Sequence, residues 1–316
     1  MKRILVLGAT GDQGHPLLTR LIAAGLTPVA ALRNPKALAG TEFAAVETVA
    51  ADIYDEASMI AAAAGMDGIV AHLPFVFDRD RARQMGENLA AAGHANGVRK
   101  IVFHTSCHVA DADIGSPAMD GRRDIIAAIA ASGCAWAIIE SRVFMDNMIR
   151  SWNKPSIVNK GIFAYPAKPD LKISWICLDD VAGFMVEALV RADLPSGRYR
   201  VGGPEALVGD EVAAALSKAA GQPISFQSLT PDAFASAMSL LVTGSPDVQP
   251  LSIYDGMAAF YRWYNVQDQS PLVVDPAEMA RHFEHRPASL ATWAARQDWA
   301  DPRDPALATR MAGMTA

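Results

Sequence analysis

Short unbroken apolar runs alternate with amphipathic stretches through the first 140 residues of the chain. The runs at 3–7, 28–32, 46–50, 68–72, 100–105 and 135–140 predict six buried strands. Between them, 13–24, 56–63, 80–95 and 119–131 repeat apolar residues at helical spacing and predict four helices. Strands without polar alternation are covered on both faces. The pattern therefore predicts an α/β fold, a parallel sheet with helices on each side. Right-handed crossovers make that sheet doubly wound.

After Glu140 the rhythm breaks. Residues 143–171 carry Pro155, Gly161, Pro166 and Pro169 and read as loop. A strand at 173–176, a helix at 179–191 and a strand at 198–201 return to the earlier alternation. From Gly209 the pattern is mainly helical, with a lone strand at 224–228 and two proline-initiated helices after Pro276 and Pro287. The tail from Asp301, with Pro302 and Pro305, has little to bury. The predicted organisation is a core at 1–142 completed by 172–203, a smaller, interleaved, mainly helical cap at 143–171 and 204–300, and a tail at 301–316.

Composition narrows the function classes. The 316 residues are 51% hydrophobic and 20% charged, enough apolar surface for a large core. A net charge of −6 leaves no electrostatic footprint for direct nucleic-acid binding. Mean hydropathy of +0.14 raises a membrane question. The longest apolar run, 125–139, is broken by Ser132-Gly133 and is too short to span a bilayer. The basic start, Met1-Lys2-Arg3, lacks the apolar stretch of a secretory signal. Cys107, Cys134 and Cys177 are widely spaced and form no metal-binding pattern, so no metal site is expected and a cytoplasmic location is. A homo-oligomer is compatible with all of this.

The strongest local signal is Gly8-Ala9-Thr10-Gly11-Asp12-Gln13-Gly14, which follows the first strand and opens the first helix. Gly8 permits the tight turn, Gly11 lets backbone approach a pyrophosphate, and Gly14 allows close packing of helix on strand. A helix N-terminus facing an anion completes a dinucleotide site. The second strand ends in Arg33-Asn34-Pro35, where an acid would hold the ribose of NAD. An arginine suits a 2′-phosphate instead, so NADPH is the expected cofactor. Asp52, in Ala51-Asp52-Ile53, is placed to meet the adenine amino group. His72-Leu73-Pro74 end the fourth strand, where backbone would pass the nicotinamide-side ribose. Asp55, with Ser58 three residues on, reads as a helix cap. The charged run at 78–83 reads as a solvated helix start.

These segments resemble the NmrA-like branch of the atypical short-chain dehydrogenase/reductases, with their NAD(P)-binding Rossmann fold. The resemblance rests on Gly8 to Gly14, Arg33-Asn34-Pro35 and Ala51-Asp52-Ile53-Tyr54-Asp55. It extends to 97–102, to Arg142-Val143-Phe144-Met145-Asp146-Asn147-Met148, to 173–182 and to 275–293, and covers about residues 1–298. Val143 stands where the family usually has proline.

Reductases of the wider superfamily use a Ser/Thr, a Tyr proton donor and a Lys four residues later. Here Ser106 holds the first position, but the other two fall on Ala118 and Arg122. Alanine transfers no proton, and Arg122 stays charged, able to hold ribose hydroxyls or phosphate but not to cycle a proton. His104 and His108 flank Ser106 as substitute acids, each with packed or surface histidine as its alternative. His104 and Ser106 share a strand face by alternation. Asn147 could bond the nicotinamide ribose or the substrate, or close a turn, and Tyr165 could reach in from the cap. The cap aromatics Phe144, Trp152, Phe163, Trp175, Phe260, Tyr261, Trp263 and Tyr264 suit a flat apolar substrate or an ordinary core, and the helical spacing over 254–264 favours core.

The resemblance implies two functions. One is an NADPH-dependent reductase of a quinone, aromatic or other conjugated small molecule that works without the Tyr-Lys pair. The other is a non-catalytic NADP(H) sensor acting through a protein partner. An isomerase or lyase with a structural nucleotide is a third class.

Overall fold

The computed structural model describes residues 2–304. Seven strands form one parallel sheet: β1 (Arg3–Leu7), β2 (Thr27–Leu32), β3 (Glu47–Ala50), β4 (Gly68–His72), β5 (Lys100–His104), β6 (Ala135–Ser141) and β8 (Gly197–Val201). Their order is β3-β2-β1-β4-β5-β6-β8. Leu5 sits opposite Val29 on one side and Ile69 on the other. The strand order reverses between β1 and β4, which opens the crevice where such sheets bind ligands.

Helices cover both faces, as the apolar runs require. Helices α2 (Glu56–Ala62), α3 (Arg79–Ala95) and α4 (Pro117–Ala130) bury Met59, Met85, Leu89 and Ile125 against one face. On the other face α1 (Gly14–Ala23) and α6 (Leu178–Val190) bury Leu17, Leu21, Val181 and Phe184. Asp55 caps α2 by accepting the Ser58 N–H at 3.1 Å, and Asp78 caps α3. Arg79 is not merely solvated: it bonds both Asp124 and Asp113 and so ties α3 to α4. Among the described residues no helix is long and apolar enough to cross a membrane.

The cap departs most from expectation. Residues 143–171 are not loop: they hold a 3₁₀ turn at Met145–Ile149, α5 (Lys154–Lys160) and β7 (Ile162–Tyr165). Pro155 sits in the first turn of α5, where its missing N–H costs nothing. Gly161 ends that helix at φ 63°. The strand expected at 224–228 is not alone, since β9 (Ser225–Ser228) pairs in parallel with β7. Conversely, 173–176 forms no strand. Ile173 and Ile176 make isolated bridges to Leu207 and Phe144 without a continuous ladder.

Helices α7 (Gly209–Ala220), α8 (Pro231–Thr243) and α9 (Ile253–Asn265) build the rest of the cap, with α11 (Leu290–Ala294) against α7. The last begins after Ser289, whose side chain caps it, rather than at Pro287. Helix α10 (Pro276–His282) packs on the sheet instead of over the cap, with Met279 and Phe283 beside Phe184. The start of the tail is tied down. Asp304 accepts the Ser151 N–H at 2.8 Å and pairs with Arg150 at 3.6 Å. The remainder of the predicted tail lies outside the described residues.

Candidate active site

Two cavities meet at the carboxyl edge of the sheet. The first, about 400 Å³, is lined by Gly8, Thr10, Arg33, Asp52, Ile53, His72, Leu73 and Pro74, among others. These come from the ends of four neighbouring strands and were all singled out by the sequence. Gly11, Asp12, Gln13 and Gly14 complete the adjoining loop. A broader groove of about 560 Å³ between α3 and α4 contains none of these residues.

The loop geometry fits a bound pyrophosphate. Gly8 turns at φ 79°, and a Cβ there would lie 2.4 Å from His72 Nε2. A Cβ on Gly14 would lie 2.3 Å from the Gly8 carbonyl oxygen, so only glycine lets α1 start this close to β1. Asp12 pairs with Arg150, whose Nε lies 3.0 Å from its Oδ2. Arg33 is exposed and enters no ion pair among the described residues, so its charge is available to a phosphate. Asn34 accepts the Lys36 N–H at 3.0 Å and shapes the turn. Asp52 does likewise for Tyr54, also at 3.0 Å. Asn88, from α3, holds the Ile53 carbonyl at 2.8 Å. Burial, with the Arg122 charge next, lowers His72 to about 4, so it is neutral at pH 7.

The second cavity, about 230 Å³, lies between the sheet edge and the cap. Phe75, which follows Pro74 directly, forms one wall. Ser106 forms another part and donates to Gln13 Oε1 at 3.0 Å, which ties this cavity's wall to the glycine loop, and the adjacent Pro74 and Phe75 line the first and second cavities respectively. Trp152, Phe234, Phe260, Tyr261 and Tyr264 supply aromatic surface, whereas Phe163 and Trp175 are buried in the core behind it. Helix α9 thus serves as both core and lining. Tyr165 Oη accepts from Tyr261 Oη at 2.7 Å and from Asn147 Nδ2 at 3.3 Å. Burial pushes the Tyr165 phenol up to about 12, so it keeps its proton.

Three catalytic or cofactor expectations change in geometry. His104 is fully buried, and its Nε2 bonds Ser141 Oγ at 2.7 Å. Burial also holds its pKa well below the ordinary value, which removes it as an acid at the cavity. Strand alternation does not join it to Ser106, because β5 ends at His104 and Ser106 turns at φ 62°. His108 lines the cavity and stacks near Trp263, with ring centroids 5.7 Å apart. Burial, then the charges of Arg142, Arg200 and Arg198, lowers it to about 3, so it is neutral near pH 7 and is no imidazolium acid there.

Arg122 lies one turn after Ala118 on α4, is 1% exposed and does not reach out to a phosphate. Its Nη2 donates to the Leu73 carbonyl at 2.6 Å, and its guanidinium lies 4.2 Å from the Phe75 ring centre. It braces the segment that walls both cavities. Sequence reasoning also missed Arg142 as a cavity residue. A long cation is normally exposed, so nothing local signals its burial.

Comparison with known proteins agrees with this architecture. The NmrA-like family model matches residues 1–290. An NAD(P)H azoreductase of Xenophilus azovorans is 32% identical over 82% of this chain and 86% of its own length. A (4-alkanoyl-5-oxo-2,5-dihydrofuran-3-yl)methyl phosphate reductase of Streptomyces griseus is 32% identical over 74% of this chain and 80% of its own. In fold, the chain resembles an NADPH-dependent quinone oxidoreductase of Escherichia coli solved with NADPH. That likeness has a TM-score of 0.75 at 22% identity, covering 92% of this chain and 98% of the other. With a glycine loop, a doubly wound sheet and a family match over most of its length, the chain belongs to the NmrA-like family.

Proposed function

We propose that the protein is an NADPH-dependent reductase of quinones, aromatic compounds or other conjugated small molecules. The observation that carries this reading is the aromatic-walled cavity bordering the glycine-loop cavity at Pro74-Phe75 and Ser106. The relatives named for azo compounds and an unsaturated furanone act on acceptors of that electronic kind.

Gly8 to Gly14 would hold the pyrophosphate, Arg33 the 2′-phosphate and Asp52 the adenine edge. Leu73 and Pro74 would flank the nicotinamide-side ribose. NADPH, when bound, supplies the hydride. The chain's own part is to stack a flat acceptor among Phe75, Trp152, Phe260 and Tyr264 and to exclude water from it. Ser106 Oγ and Asn147 Nδ2 orient the border of the two cavities. Tyr165 already accepts two hydrogen bonds, so its own O–H is left to donate to negative charge developing on the acceptor. This arrangement dispenses with the Tyr-Lys pair, whose places are held by Ala118 and Arg122.

The test is a fluorescence titration with NADPH and NADP, followed by NADPH-oxidation assays with quinones, enals and cationic dyes. Turnover with at least one conjugated acceptor is expected. Tight binding with no oxidation of any of them would overturn the proposal and favour the sensor.

A further inference from the structure

The acceptor cavity holds a buried cation that enters no ion pair among the described residues. Arg142 follows β6, is 2% exposed and lines the cavity. Of its five donors, Nη1 reaches the Glu140 main-chain oxygen at 3.2 Å, and Nε is buried without a partner. The neighbouring charges do not balance it. Arg198 bonds the Glu140 carboxylate and Asp111, and Arg200 lies 3.6 Å from Asp111. Arg198 holds Glu140 Oε1 and shares Asp111 with Arg200, while Glu140 Oε2 has no hydrogen-bond partner and favours the Arg142 charge only through space, so three guanidinium groups face two carboxylates. Among the described residues no carboxylate lines the cavity. The other buried arginines among the described residues differ: Arg122 rests on the Phe75 ring and a carbonyl, and Arg150 pairs with Asp12 and Asp304.

A guanidinium cannot shed its charge as a buried lysine does, and an unpaired one in an apolar site is costly. Its planar fork matches a carboxylate, sulfonate or phosphate. We infer that Arg142 forms an anion subsite in the acceptor cavity, making conjugated acceptors that carry a carboxylate, sulfonate or phosphate the preferred substrates. This rests on the reductase reading for turnover but not for binding. The aromatic walls take the conjugated ring system and Arg142 takes the anionic substituent, which fixes the ring's orientation.

The experiment uses a naphthoquinone, the same quinone bearing a sulfonate, and two redox-inert probes, a naphthalene sulfonate and a naphthalene methanol. Binding of the inert probes is read by quenching of tryptophan fluorescence in the NADP-loaded protein. Wild-type protein should bind the sulfonate at least about 10-fold more tightly than the neutral probe, in line with a desolvated charge pair. Arg142→Met should raise KM for the sulfonated quinone about 10- to 100-fold while changing that for the neutral quinone about two-fold or less. Arg142→Lys, which keeps the charge but loses the fork, should fall between them. Equal wild-type affinity for the two inert probes would overturn the subsite, and needs no variant. So would parallel losses for both quinones in Arg142→Lys with NADPH affinity intact. If no conjugated acceptor is reduced but the sulfonate probe binds selectively, the reductase proposal fails and the anion site stands.

Discussion

Ser106 donates its hydroxyl to Gln13 Oε1 at 3.0 Å while its own backbone stands at φ 62°. The turn after β5 is thereby latched to the loop that opens α1. A non-glycine residue in the left-handed region carries strain of about 1 kcal/mol, which glycine does not. Ser106→Ala keeps the strain and loses the bond, so it should be less stable by about 1 kcal/mol. Ser106→Gly loses the same bond but relieves the backbone and should sit close to wild type. Urea denaturation of both variants checks this. A glycine variant as unstable as the alanine one would show that the strain is not real.

Arg33 is exposed at the edge of the first cavity and is not committed to any carboxylate among the described residues. A phosphate there would gain a charge-assisted bond, of about 1.5–3 kcal/mol. Arg33→Asp should therefore weaken NADPH binding about 10- to 100-fold and leave NADH equal or improved. The ratio of the two dissociation constants is the measurement. An unchanged ratio would remove Arg33 from the phosphate site.

The glycine loop was legible because its cause is local. A Cβ on Gly14 would overlap the Gly8 carbonyl within the same seven residues, so composition and spacing suffice to announce the turn. The cap was not, because its order comes from partners distant in sequence. Among the described residues, strands β7 and β9 pair with each other alone across some 60 intervening residues, and neither shows a long apolar run. The prolines that suggested loop at 143–171 include Pro155, which starts a helix. His104 illustrates a third limit. Its residue type suggested chemistry, but the bond to Ser141 and complete burial are tertiary facts. Likewise Arg122 reads as a cofactor contact and Arg142 only as the start of a family-like segment, and it is the fold that places both inside.

Burial of His104 and His108 makes the fold sensitive to acid. Unfolded, each titrates near 6.5. In the folded protein both are shifted down, His108 to about 3 and His104 well below the ordinary value, first by burial. Below pH 6.5 the unfolded chain takes up protons that the folded one refuses. Stability from these groups is therefore complete above that pH and is lost as pH falls toward the folded values. At pH 5 the loss from His108 should be about 2 kcal/mol, and His104 acts in the same direction. His108→Phe preserves a ring against Trp263 and should recover about 2 kcal/mol of the difference between pH 7 and pH 5. Urea midpoints at the two pH values provide the check, and an identical acid loss in wild type and variant would sink the assignment.

Tyr165 and Tyr261 should separate in their effects on turnover. Tyr165 and Tyr261 both line the cavity, and Tyr261 donates to the Tyr165 Oη at 2.7 Å. If Tyr165 donates to charge on the acceptor, Tyr165→Phe should cut kcat about 100-fold, the loss typical of one such donor. NADPH affinity should stay within about two-fold, because no cofactor contact is removed. Tyr261→Phe leaves the Tyr165 donor in place and removes only its polarising neighbour, so kcat should fall about 10-fold or less. The phenol at about 12 also sets the pH behaviour. A raised pKa means the proton is retained as pH rises through the neutral and mildly alkaline range. Wild-type kcat should thus show no basic limb from this group up to about pH 10. Full turnover in Tyr165→Phe would place the donor elsewhere in the cavity, and Ser106 Oγ and Asn147 Nδ2 would be the next groups to remove.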